Sequence, residues 1–129
     1  MSELTANVNW IAVVAGTVLS FLLGWLWYST KLFGVKWAAG NNVNLAGSGD
    51  TMPVGPLLLQ LVATFFLAWI IGVTAANEAL MTAFLVLITI TLLIAANGVF
   101  AKKSSAAIWI ESSFIIVMGI VMIACHAVL

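Results

Sequence analysis

Apolar residues gather along this chain into four long runs, Val8 to Tyr28, Pro56 to Ala76, Ala79 to Ala101 and Ser104 to Leu129. Each approaches or exceeds the roughly 20 residues that a helix rising about 1.5 Å per residue needs to cross a hydrocarbon core about 30 Å thick. Within the runs Glu111 is the one charged residue. The pattern predicts an all-α chain, an integral membrane four-helix bundle forming a single transmembrane domain over residues 1–129. Its spans cover approximately 8–28, 56–76, 79–101 and 104–129, and residues 29–55 form the longest loop.

Composition narrows this further. With 64% apolar and 6% charged residues, a soluble domain would lack the polar side chains to cover its surface. A length of 129 residues accommodates four helices and one modest loop, leaving no room for a separate catalytic domain, so no enzyme activity is expected. The single cysteine, Cys125, has no partner for an internal disulfide. The opening MSELTANVNW carries an acid and no base, unlike the positive start of a secretory signal, so the first helix is expected to be retained.

Charge placement predicts orientation. Lys31 and Lys36 follow the first run and Lys102 and Lys103 separate the third from the fourth, whereas Glu3 and Glu78 fall on the opposite side. Short lysine-bearing loops stay cytoplasmic because their translocation is disfavoured. Both termini are therefore expected outside. Asp50 shares the lysine side, but acids weigh little in this rule.

The long connection has two parts. Ser29 to Ala39 places Phe33 and Trp37 on one face of a helical turn and leaves Lys31 and Lys36 free to reach headgroups, which predicts a short cytoplasmic interfacial helix. Gly40 to Gly55 is rich in Gly, Asn and Ser and contains Pro53, so a mobile loop is expected. Between the second and third runs Asn77 and Glu78 are the clear turn residues, which predicts a tight antiparallel hairpin. No internal repeat supports an inverted-repeat transporter plan.

Small residues supply the clearest packing signal. Ala12, Gly16, Ser20 and Gly24 recur every fourth position in the first run, and Ala68, Gly72 and Ala76 do so in the second. Such stripes permit close backbone approach, either within the bundle or between molecules. Trp10 near one end and Trp25, Trp27 and Tyr28 near the other are spaced as an interfacial aromatic belt. Lys31, Lys36, Lys102 and Lys103 complete the expected anchors.

Glu111 fits its surroundings least. It lies about seven positions into the last run, on the order of 10 Å below the boundary, where a lone carboxylate is costly unless paired, hydrated or protonated. Gln60, Thr64, Asn97 and Tyr28 lie at a similar depth on other helices, and if they face inward they form with Glu111 a polar cluster open to the cytoplasm. Glu111 is then either a structural clasp, including a carboxylate reaching toward Lys102 or Lys103, or a proton or cation site. Met118, Met122 and Cys125 align at helical spacing with His126 beside them, a set that soft metals favour but that Met packing explains equally. No metal site and no cofactor are expected. Nothing resembles a phosphate loop, a zinc motif or a nucleophile with its base, and four basic residues give nucleic acid no footprint.

The segments NWIAVVAG, GWLWYSTKLFGVKW, ANGVFAKK and IWIESSF resemble the small bacterial membrane proteins grouped as domain of unknown function 1761. The resemblance covers essentially the whole chain. Its most specific piece is Trp27-Tyr28-Ser29 followed by Leu32-Phe33-Gly34 and Trp37, and Asn97 and Glu111 fall where such proteins tend to carry an Asn and an acid. It implies a four-helix protein of the bacterial inner membrane and supplies no activity. The stretch Lys102 to Ser105 departs from the arginine, proline and aromatic residues more usual there. Two functions remain open: a non-enzymatic structural or accessory subunit of a membrane assembly, partnered by the lipid bilayer, by itself or by another membrane protein; or a small proton- or cation-coupled transporter using Glu111. Small multidrug-resistance exporters carry their acid in the first helix, which is uncharged here.

Overall fold

The computed structural model describes residues 2–28 and 54–129, with side chains from Leu4 and Leu58 onward in the two segments. The expected interfacial helix with Lys31, Phe33, Lys36 and Trp37, and nearly all of the following loop, lie outside the described residues. The rest is all-α: a short α1 (Ser2–Thr5) precedes four long helices, α2 (Trp10–Trp27), α3 (Val54–Ala76), α4 (Leu80–Phe100) and α5 (Ser105–Val128). All four are long and apolar enough to cross a membrane. The chain is a multi-pass membrane protein in architecture, with both termini at one end of the bundle, the terminal face, and the Lys102–Lys103 turn at the other, the lysine face.

The starts of α2 and α5 are set by polar residues that the apolar runs conceal. Asn9 caps α2, its side-chain oxygen accepting from Ala12 N at 3.1 Å, and Ser104 caps α5 by accepting from Ala107 N at 3.1 Å. Each satisfies one of the backbone donors that a helix start leaves without an acceptor. At α3 the helix begins at Val54, two residues ahead of the apolar run. Pro56 is no obstacle there, because first-turn N–H groups have no intrahelical acceptor anyway.

Two of the connections share one geometry. At the end of α3, Ala79 N donates to Thr74 O and Glu78 N to Ala75 O; at the end of α4, Lys103 N donates to Gly98 O and Lys102 N to Val99 O. These paired bonds satisfy orphaned terminal carbonyls and require a left-handed residue just past the cap. Glu78 (φ 53°) and Lys102 (φ 59°) occupy it, although neither is glycine. The α3–α4 turn is as short as predicted, yet the two helices touch along much less of their length than the other neighbours do. Helix α2 packs extensively on both α3 and α5, and α4 packs mainly on α5.

The core follows from these contacts. Val13, Leu67, Ala68, Ile71, Ala83, Leu87, Phe114, Met118 and Met122 form one buried apolar cluster drawing on all four helices. Along the antiparallel α2–α5 pair, a Cβ at Gly16 would meet Met122 Cγ at 3.4 Å and one at Gly24 would meet Phe114 Cζ at 3.0 Å. Along α4–α5, the space beside Gly98 is filled by Ile108 and that beside Gly119 by the Leu87 methyls. Glycine is needed most at the last two positions, where side chains of the neighbouring helix occupy the place of a Cβ.

Candidate functional site

Glu111 projects from the second turn of α5, and its carboxylate is held by a lysine. Lys103 Nζ donates to Oε1 at 3.0 Å and to Oε2 at 2.9 Å. The pair is largely withdrawn from solvent, with side-chain exposures of 28% for Lys103 and 13% for Glu111. Local structure explains the reach. The left-handed Lys102 ends α4 abruptly, Lys103 follows in the turn, Ser104 caps α5, and the Lys103 and Glu111 side chains meet between these two positions eight residues apart.

Helix α2 joins the same site. The indole Nε1 of Trp27 donates to Ile110 O at 3.1 Å. The Trp27 ring lies 6.1 Å from Phe114 by centroids, and Tyr28 meets Phe114 edge-on at 5.5 Å. Tyr28 also lies within electrostatic reach of Glu111. The half-buried Gly24 leaves room for the Phe114 ring on which the two α2 aromatics converge. Three stretches distant in sequence, the end of α2, the α4–α5 turn and the start of α5, are thus fastened at the lysine face by one ion pair, one indole bond and an aromatic cluster.

Not every residue singled out from the sequence gathers here. Tyr28 and Glu111 come together. Gln60 and Asn97 are exposed, and Gln60 donates its amide to Thr64 Oγ1 at 3.3 Å on its own helix. Thr64 is buried, but its hydroxyl donates to Gln60 O at 2.6 Å. Of the small-residue positions, Ala12, Gly16, Ser20, Ala68 and Gly72 are buried, and Gly24 and Ala76 half-buried. Trp10 is exposed at the terminal face and pairs with Trp69 at 5.5 Å, whose indole donates to Leu4 O at 2.7 Å. Lys102 is exposed. Trp27, expected as a headgroup anchor, turns toward α5, and of the two lysines expected as anchors and as possible partners of Glu111, Lys103 reaches the acid. Met118, Met122 and Cys125 are buried in the bundle, and among the described residues no three His, Cys, Asp or Glu side chains approach closely enough to hold a metal ion.

Residues 11–127 match the family described as Protein of unknown function (DUF1761). The chain belongs to that family. No curated protein and no solved structure matches it.

Proposed function

We propose that this chain is a non-enzymatic structural or accessory subunit of a membrane assembly. The observation that supports the reading is the engagement of both Glu111 carboxylate oxygens by Lys103. The acid that a carrier would present to its cargo is neutralised by a lysine of the same chain, and the pair joins the α4–α5 turn to the body of α5. Such a pair is a fastening: its charges cancel within a site where an isolated carboxylate would be costly. The fold leaves most of α4 facing outward, with Ala83, Leu87 and Gly98 its buried residues, so lipid, a second copy or another membrane protein covers that helix in the bilayer. Lysines at the Lys102–Lys103 turn favour a cytoplasmic location for it and an outside location for both termini, in a bacterial inner membrane.

The test pairs two measurements. Capture from native membranes followed by mass spectrometry is expected to yield a stoichiometric partner, and parent and Glu111→Gln protein in reconstituted vesicles are expected to move no protons or cations. Ion flux by the parent that Glu111→Gln abolishes without loss of folding would contradict the subunit reading and favour a carrier that uses Glu111.

A further inference from the structure

The outside of α4 carries a carboxamide that its own chain leaves without a partner. Asn97 lies within the span Leu80–Phe100 and is exposed, five residues before Lys102 and so about 7.5 Å inside the lysine-face turn by helical rise. Two threonines of the same helix bond back to it: Thr89 Oγ1 donates to Leu85 O and Thr91 Oγ1 to Leu87 O, each at 2.8 Å. The amide of Asn77, at the end of α3, likewise donates to Val73 O at 2.8 Å. Asn97 makes no such use of the carbonyl four residues back, and among the described residues its side chain has no hydrogen bond. It shares a stripe of α4 with Leu93 and Phe100, four residues before and three after it, both exposed. Helix α3 does not close over this stripe, since residues 58–63 at the same end of the bundle are all exposed, and six consecutive residues sample every side of a helix.

We propose that two copies of this chain pair side by side in the membrane through α4, with the two Asn97 carboxamides bonded to each other across the contact. Lipid tails offer neither donor nor acceptor, so an amide turned toward them has given up water for nothing. Complementarity of partial charge selects the occupant. A carboxamide carries N–H donors and a carbonyl acceptor, so two of them facing each other supply two N–H to O=C bonds, one in each direction. Copies inserted the same way up and related by a twofold axis along the membrane normal bring Asn97 to Asn97 at one depth without further adjustment. An unrelated helix would need a polar residue of its own at that level. Leu93 and Phe100 then pack on either side of the amides along the contact and keep lipid and water from them, and such interhelical bonds are a recognised source of association between spanning helices. Naming a second copy as the partner rests on the accessory-subunit reading above and deepens it.

Förster transfer between full-length chains carrying donor or acceptor at the N-terminus, in phosphatidylethanolamine–phosphatidylglycerol vesicles over a dilution series in lipid, tests the pairing. The parent is expected to associate reversibly, and Asn97→Leu to raise the dissociation constant roughly tenfold while its thermal midpoint stays at the parent value, because the side chain contributes no bond to the fold. Equal dissociation constants for the two proteins, or a parent that remains monomeric at the highest protein density, would overturn the proposal. A second measurement compares positions instead of affinities. In a Cys125→Ala background, Asn97→Cys is expected to form disulfide-linked dimers on mild oxidation severalfold faster than Leu92→Cys, which points about 140° away round the same helix; equal or faster linkage at Leu92→Cys would also overturn it. A monomeric parent that still captures a different membrane protein stoichiometrically would contradict the pairing and leave the subunit reading standing, whereas ion flux abolished by Glu111→Gln contradicts that reading.

Discussion

Helices α4 and α5 are nearly equal in apolar character, yet 17% of the most apolar stretch of α4 is buried inside the bundle against 33% of that of α5. The more hydropathic helix is the more peripheral. Hydropathy decides that a segment leaves water for lipid, but it does not distinguish a lipid neighbour from a helix neighbour, because the two are about equally apolar. Close packing makes that distinction. Helix α5 meets α2 through Gly16 and Gly24 and meets α4 through Gly98 and Gly119, and it also carries the ion pair and the indole bond. Helix α4 keeps Met81, Leu85, Leu92 and Phe100 exposed.

The comparison is broken most directly at Gly119. Leucine there competes with Leu87 for one space, and overpacking of this kind costs about 1 to 3 kcal/mol. Leu92→Ala on the outward face of α4 is expected to change stability by less than about 0.5 kcal/mol. Equal losses for the two variants, measured by unfolding in bicelles, would show that α4 and α5 are not distinguished by packing. A smaller effect is expected for Trp27→Phe, which keeps most of the ring and loses its bond to Ile110 O. The carbonyl retains Ser113 Oγ at 3.3 Å, so about 1 kcal/mol is at stake, and the loss should vanish if α2 and α5 are already separated. The smallest change is a gain. Lys102→Gly removes the cost of a side chain in the left-handed region and should stabilise the α4–α5 turn by about 0.5 to 1 kcal/mol. No gain would mean that the Lys102 side chain makes a compensating contact in the bilayer.

Much of this architecture was legible in the sequence because length and hydropathy alone specify spanning helices. The four runs became four helices to within two residues at each end. The starts of α2 and α5 depend on single polar atoms, Asn9 Oδ1 and Ser104 Oγ, which the runs obscure. The α2 and α3 stripes were visible as repeats every fourth residue. Gly98 and Gly119 were missed, being lone glycines in apolar runs, and their isolation was itself the signal, since an unrepeated glycine inside a helix often marks a close approach. The Glu111 site was half legible. An acid in a span demands compensation, and the nearby lysines were candidates, but the choice of Lys103 depends on a backbone reversal at Lys102 that no glycine announces. Asn97 and Gln60 shared the depth of Glu111 without sharing its direction, because depth follows from position along a helix whereas direction depends on which neighbour that helix meets.

A double-mutant cycle on Lys103 and Glu111 tests the central claim, that their pair is a structural fastening. Unfolding free energies are needed for the parent, Lys103→Ala, Glu111→Ala and the double variant in the same bicelles. Each single variant leaves one charge without its partner, whereas the double variant removes both, so the account predicts that the two losses are not additive and that the coupling is on the order of 1 kcal/mol in favour of the pair. Additive losses, with coupling indistinguishable from zero, would contradict it.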